Sequence, residues 1–291
     1  MKRSRSGTGA ARVTRARKRF GQHFLERAWV EKLARAIAPD RADTFLEIGP
    51  GRGALTRPLA DAAGRILAFE IDRDLAAALA AAPLENLAVV DGDFLDLTAA
   101  ALDEALARPG LSGADRSGLR VAGNLPYNVA SPILFKLVEL YRAGFAFEDA
   151  TVMLQREVAD RLLAKPGTRE YGVLSVLIRH AARVERLLAL PPGAFRPAPN
   201  VDSALVRLWF HPDEPPVRNR FEFEALVQAV FTRRRKTLAN ALFAYRPADK
   251  ASIEAALGRA GIAGSRRPET LDVSDFVRLS DAFGAFDPPV L

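Results

Sequence analysis

Residues 44–56 read TFLEIGPGRGALT. Thr44, Phe45, Leu46 and Ile48 suit a buried strand. Three glycines then alternate with other residues at Gly49, Gly51 and Gly53, and a helical pattern continues through GALTRPLADAA. Glycines at the exit of a strand let the backbone turn tightly and come close to a ligand without a Cβ clash. A strand-to-helix turn with no ligand can look the same, so the residues beyond it decide the reading.

Those residues alternate regularly. RILAFEID reads as a second strand, RDLAAALAAA as a helix, NLAVVDGD and LRVAGNLPY as further strands, and SPILFKLVELYRA as a helix. DATVMLQ is then a strand and YGVLSVLIRHAA a helix. RVERLLAL and SALVRLWF form the two final strands, the last an antiparallel edge. Strands alternating with longer helical segments predict βαβ units around a parallel sheet, an α/β fold. HPDEPPV, His211–Val217, breaks this rhythm with three prolines and two acids. Beyond it Phe223, Leu226, Val227, Val230 and Phe231 share one helix face. Gly261 is expected to cap the next helix, with Ile262 making the accompanying apolar contact, and Asp272 to open the last. The predicted organisation is a basic flexible arm over 1–20, an α/β domain over 21–211, a linker over 212–218 and a small all-helical domain over 219–291.

The chain has 291 residues, no cysteine and three histidines. Disulfides and thiolate metal sites are excluded and an imidazole-built site is disfavoured, so no metal is expected. No apolar run approaches the ~20 residues of a membrane helix, and a reducing cytoplasm is the expected location. The net charge of +7 favours a polyanionic partner. Lys2, Arg3, Arg5, Arg12, Arg15, Arg17, Lys18 and Arg19 precede the first acid, Glu26. This reads as an arm that orders on phosphates, with an organellar leader as the alternative. A second basic run, Arg233, Arg234, Arg235 and Lys236, is a candidate RNA contact.

The second predicted strand ends in Glu70, about 20 residues beyond the glycines, where an acid in this architecture receives two ribose hydroxyls. The third ends near Asp93, positioned for the adenine edge. A dinucleotide would favour G-x-G-x-x-G, with its pyrophosphate on a helix N-terminus; this chain carries Pro50 in the turn and Thr56 at the helix. The run from Glu47 to Thr56 resembles instead motif I of S-adenosylmethionine-dependent methyltransferases, a Rossmann-like sheet whose cofactor carries no phosphate.

GNLPYN, Gly123–Asn128, contains no nucleophile and no acid–base pair. It suits a reaction governed by positioning, such as in-line attack on a sulfonium methyl. Asn124 offers a side-chain carbonyl, Leu125 a backbone carbonyl in a turn stiffened by Pro126, and Tyr127 a face for stacking. Two acceptors aimed at an exocyclic amine favour its nucleophilic, pyramidal form.

These motifs, in order, are similar to the ribosomal RNA adenine N6,N6-dimethyltransferases of the small subunit. The resemblance runs from RKRFGQHFL through LEIGPGRGALT, FEIDRD, GDF, GNLPYN, MLQREVADRL, YGVLSV and PPGAFRPAPNVDSALVRL to RRRKTLANAL. It implies that His23 and Leu25 line the cofactor with Gly49, Gly51, Glu70, Asp93 and Asn124. Many members carry asparagine where His23 stands, so His23 is expected to act through its backbone. The resemblance also implies that Phe195 sandwiches the target adenine opposite Tyr127. Small-subunit rRNA in pre-30S particles is the implied partner, met by a monomer, and two adjacent adenines of the 3′-terminal hairpin loop are the implied targets. Rivals are the large-subunit methyltransferase of macrolide resistance, and a non-catalytic assembly factor or mitochondrial transcription factor; PNVDSALVRL and the developed C-terminal region favour the small-subunit enzyme.

Overall fold

The structure, a computed structural model, describes residues 24–108, 111, 113, 116–243, 245 and 250–284. The basic arm, with Arg17, Lys18, Arg19 and His23, lies outside the described residues.

A seven-stranded sheet is built from β2 (Thr44–Ile48), β3 (Arg65–Glu70), β4 (Leu87–Asp91), β5 (Leu119–Asn124), β6 (Phe147–Gln155), β7 (Ala182–Leu190) and β9 (Ser203–Phe210), in the order β4-β3-β2-β5-β6-β9-β7. A two-stranded antiparallel pair joins β1 (Phe24–Leu25) to β8 (Phe195–Arg196). The chain enters the large sheet at its middle, winds outward through β3 and β4, then returns to β5 on the other side of β2. The strand order therefore reverses between β2 and β5, opening a crevice at their carboxyl ends.

Alternation along the strands feeds two cores. Leu46, Ile48, Leu67, Phe69 and Val121 face α4 (Ala99–Leu106) and α5 (Ala130–Arg142), whereas Phe45, Ile66, Ala68 and Ala122 face α1 (Arg27–Ile37) and α2 (Thr56–Ala62). Helix α3 (Arg73–Ala80) opens on Asp72, whose carboxylate accepts from the amides of Asp74 and Leu75.

The last strand is not the edge that its position in the chain suggested. β9 runs antiparallel between β6 and β7, and β7 is the edge. SALVRLWF is buried at most positions on both faces, as an inserted strand must be. β7 instead exposes Arg183, Glu185 and Arg186 and carries an irregularity beside Leu187, features that keep an edge from pairing with another chain.

Two arginines fasten α1 to the sheet. Arg120 donates to Asp149, Asp43 and the carbonyls of Ile37 and Ala38; Arg207 reaches Asp149, Thr151 and the carbonyls of Ala36 and Ile37. They thus satisfy carbonyls at the helix end that have no intrahelical donor.

Between β6 and β7 lie α6 (Arg156–Leu163) and α7 (Val173–Arg179). After the linker come α8 (Arg220–Thr232), α9 (Leu238–Leu242), α10 (Lys250–Ala260) and α11 (Val273–Gly284). Gly261, at φ +66°, ends α10, and the Ile262 amide returns to the Leu257 carbonyl at 3.0 Å. Asp272 accepts from the Asp275 amide at 2.7 Å, and its own amide donates to Asp275. The helical core also includes Tyr171, Val176 and Leu177, the last two on α7. The linker is held as well: Arg142 bonds both Asp213 and Glu224, and His180 donates through Nε2 to the Pro215 carbonyl at 2.7 Å. Packing therefore crosses the stretch where the composition changes.

Candidate active site

The loop after β2 places Gly49, Gly51 and Gly53 at φ +68°, +58° and +75°, the left-handed region that glycine enters without strain. The Gly49 amide bonds the Phe69 carbonyl, and the Gly51 amide bonds Glu70 Oε2 at 2.8 Å. The other Glu70 oxygen accepts from the Asp72 amide at 2.9 Å. Gly123, beside Asn124, has a different reason to be glycine: a Cβ there would lie 2.5 Å from the Ile48 carbonyl oxygen. The loop, Glu70 and the GNLPYN turn thus converge because β2, β3 and β5 are neighbours and Gly123 lets β5 lie against β2 without a Cβ.

One cavity, of about 170 Å³, brings together Leu25, Gly49, Gly51, Glu70, Asp93, Asn124, Leu125, Pro126 and Tyr127. Its walls also include Glu47, Ile71, Phe94, Val129 and Ile133, none of which was assigned from motifs. Glu47 had a signal, an acid inside an otherwise apolar central strand. Ile71 is 42% exposed despite its apolar side chain, leaving a hydrophobic surface at the rim.

Among the described residues, three carboxyl side chains and no lysine or arginine line this space. Burial raises the Glu70 pKa, against the amides of Asp72 and Gly51, which stabilise its anion. Burial pushes Glu47 up to about 8, and the charge of Glu70 adds to the rise. Glu47 Oε2 and Thr56 Oγ1 are buried without a hydrogen-bond partner among the described residues. Such a wall suits a cationic nucleoside and would leave a pyrophosphate uncompensated.

Tyr127 lines the cavity, and its hydroxyl lies 2.8 Å from Ser203 Oγ at the start of β9. Burial raises its pKa, with Ser203 acting against the rise, so it stands as a neutral phenol. Pro126 closes a turn in which its carbonyl accepts from the Val129 amide at 3.1 Å, and the Leu125 amide bonds Met153 across the sheet at 3.2 Å.

Two of the expected site residues have surroundings that the motifs did not show. Phe195 does not face the cavity: it is 0% exposed, in a core with Met153, Leu190 and Leu205. Its strand β8 pairs Phe195 with Leu25, turning the ring inward and Arg196 outward. In this arrangement it has no face free for a base. The Arg234 guanidinium donates to the carbonyls of Arg169 and Thr168 at 2.6 and 2.9 Å. Arg233, Arg235 and Lys236 lie at the surface end of α8, apart from the cavity.

The family model described as ribosomal RNA adenine dimethylase matches residues 13–283. The chain belongs to that family. It is 42% identical over 272 residues to the ribosomal RNA small subunit methyltransferase A of Xanthomonas axonopodis pv. citri, covering 91% of this chain and 95% of that protein. The Bordetella avium protein of the same name is also 42% identical, over 273 residues, with 92% and 95% covered. Among solved structures, a dimethyladenosine transferase from Plasmodium falciparum matches with TM-score 0.70 at 24% identity, over 88% of this chain and 96% of that one. The 23S rRNA methyltransferase ErmE matches with TM-score 0.60 at 27% identity, over 90% and 99%. The family member described here is thus a methyltransferase of ribosomal RNA on an α/β methyltransferase fold.

Proposed function

We propose that this enzyme transfers methyl groups from S-adenosylmethionine to the N6 amines of two adjacent adenines in the 3′-terminal hairpin loop of small-subunit rRNA. The observation that carries the reading is one cavity lined by the glycine loop, Glu70, Asp93 and the Asn124–Tyr127 turn, acidic and without a cation among the described residues. The small subunit is favoured over the large because the curated relatives at 42% identity bear the small-subunit name, whereas the 23S enzyme stands at 27%.

In this reading Glu70 receives the ribose hydroxyls, Asp93 meets the adenine edge, and the glycine loop with Leu25 encloses the methionine end. The bound cofactor supplies an electrophilic methyl on sulfur. Asn124 Oδ1 and the Leu125 carbonyl accept from the amine N–H groups and aim its lone pair along the line of displacement. Tyr127 supports the base from one face, anchored by Ser203. With the cofactor held there, the amine would displace a neutral thioether, so no residue would be needed as a base before attack and the amine proton would pass to solvent. The target must be unpaired or flipped, because a paired, stacked adenine has its N6 engaged.

The proposed setting is the cytoplasm, for which the cysteine-free sequence speaks, on pre-30S particles, for which the basic charge speaks, with the protein acting as a monomer. No helix among the described residues is long and apolar enough to cross a membrane. The basic arm and Arg233, Arg235 and Lys236 are assigned to RNA phosphates. The test is incubation with labelled S-adenosylmethionine and undermethylated small subunits, followed by nucleoside analysis. N6,N6-dimethyladenosine is expected; label confined to large-subunit rRNA would favour the rival, and no incorporation would favour a binding factor.

A further inference from the structure

The turn that closes α8 and the short helix α9 carry four residues at steps of three, four and three: Arg233, Lys236, Asn240 and Phe243. Asn240 and Phe243, three apart on α9 and its C-cap, share one side of that helix, and the turn before it brings Arg233 and Lys236 alongside. The four line a common recess open to solvent. The opposite side of α9 is spent on packing: Leu238, Ala241 and Leu242 are fully buried in the helical core. Phe243 is therefore not needed to hold the helix down, and it stands 43% exposed. Among the described residues neither Arg233 nor Lys236 has a carboxylate partner, in contrast to Arg234, which faces Glu269 and two backbone carbonyls.

Phosphates alone would account for the two cations. They would not call for an open aromatic ring and an amide in the same recess. An unpaired nucleotide uses all four: phosphate on the cations, base face on the ring, base edge on the amide. A side-chain amide presents an acceptor beside a donor, the complement of adenine's N6 and N7. Because none of the four lines the cofactor cavity, the nucleotide held here is a different one from the base that is methylated.

We propose that Arg233, Lys236, Asn240 and Phe243 form a second nucleotide-binding site, which takes one unpaired, non-target nucleotide of the substrate RNA. The proposal rests on the reading of the chain as an RNA-modifying enzyme. Its geometric content is that the helical region docks by capturing a looped-out base as well as by charge.

The test measures binding of the full chain to a fluorescein-labelled single-stranded oligoadenylate and to a blunt RNA duplex of equal length, across a salt series. Phe243→Ala should weaken the single strand by between about fivefold and about a hundredfold, the range for losing one base–aromatic stack. Duplex affinity and the salt slope should stay at wild-type values. Phe243→Tyr should bind as wild type, and Asn240→Ala should weaken the single strand alone. Thermal melts identify any variant that has lost its fold, in which case Phe243→Tyr and Asn240→Ala decide. Wild-type single-strand affinity in Phe243→Ala, equal losses on both RNAs, or a folded Phe243→Tyr as weak as Phe243→Ala would each overturn the site. The combined Arg233→Ala and Lys236→Ala variant separates the two levels. If it keeps its affinity and salt slope, the RNA contact itself fails; if it weakens while Phe243→Ala does not, the base site alone fails.

Discussion

The Glu70 carboxylate accepts the Gly51 amide across 2.8 Å, tying the end of β3 to the glycine loop after β2. The same carboxylate accepts the Asp72 amide, so one side chain shapes the loop and turns the chain toward α3. Glu70→Ala removes both bonds and the acceptor assigned to the ribose. At ~1.5–3 kcal/mol for each hydrogen bond to a charged group, S-adenosylmethionine affinity should fall tenfold or more. Glu70→Gln should fall between, because an amide nitrogen cannot accept from Gly51 or Asp72. Calorimetry on the folded variants checks this, and unchanged affinity in Glu70→Ala would remove the residue from the site.

Glu47 gives a pH signature. Its carboxyl is raised by burial from 4.5 to about 8, so the folded state holds a proton that the unfolded state has already released. Its stabilising effect is complete below about pH 4.5 and is lost as pH rises through about 8. Wild-type melting temperature should decline across that window, by an amount equivalent to a few kcal/mol at most. Glu47→Gln stays neutral throughout and should show a flatter profile, with its advantage largest above pH 8. Parallel profiles for the two proteins would mean that the carboxyl titrates normally.

The sequence carried most of the cofactor side and less of the periphery, for physical reasons visible at particular residues. Gly49, Gly51, Glu70 and Asn124 were legible because strand ends, positive φ and a parallel sheet leave few alternatives for where such residues meet. Helix α1 went unassigned although RAWVEKLARAI is amphipathic, because its apolar residues alternate with charges over only three turns and its end is fixed from outside, by Arg120 and Arg207. The position of β9 was readable only through contrast with β7, whose charges mark an edge. Phe195 was misplaced because a motif says which residues are near one another, and the pairing of β8 with β1 decides which way a ring points.

The basic run offers a separation of roles. Arg234 bonds two backbone carbonyls of the 168–169 turn, so Arg234→Ala should lower stability by about 1 kcal/mol or less, because water can take over those exposed acceptors. Arg235, exposed on the neighbouring position, should contribute to RNA affinity instead. Arg235→Ala should melt like wild type and show a salt slope about one unit shallower in RNA binding. Equal melting temperatures for the two variants would show that the Arg234 bonds contribute nothing in solution.

The turn at Asn124–Tyr127 bears on how many methyl groups the product carries. After one transfer the amine keeps a single N–H, so one of the two acceptors, Asn124 Oδ1 or the Leu125 carbonyl, suffices to hold it while the new methyl takes the other side. With Phe195 buried, a base bound in the cavity would meet the Tyr127 ring without a second ring from Phe195 opposite. Asn124→Ala should therefore abolish transfer while cofactor affinity falls only in part. Tyr127→Phe should keep the stack and lose the 2.8 Å anchor to Ser203, slowing transfer modestly; Tyr127→Ala should slow it further, by an amount equivalent to the ~1–3 kcal/mol of a base–aromatic contact. Phe195→Ala should act through stability, lowering the melting temperature by the ~3–5 kcal/mol typical of a buried phenylalanine. Mass spectrometry of exhaustively treated small subunits reads the product, and timed incorporation reads the rates. Monomethyladenosine as the sole product, or near-normal turnover by Asn124→Ala, would show that the amine is not held by this turn.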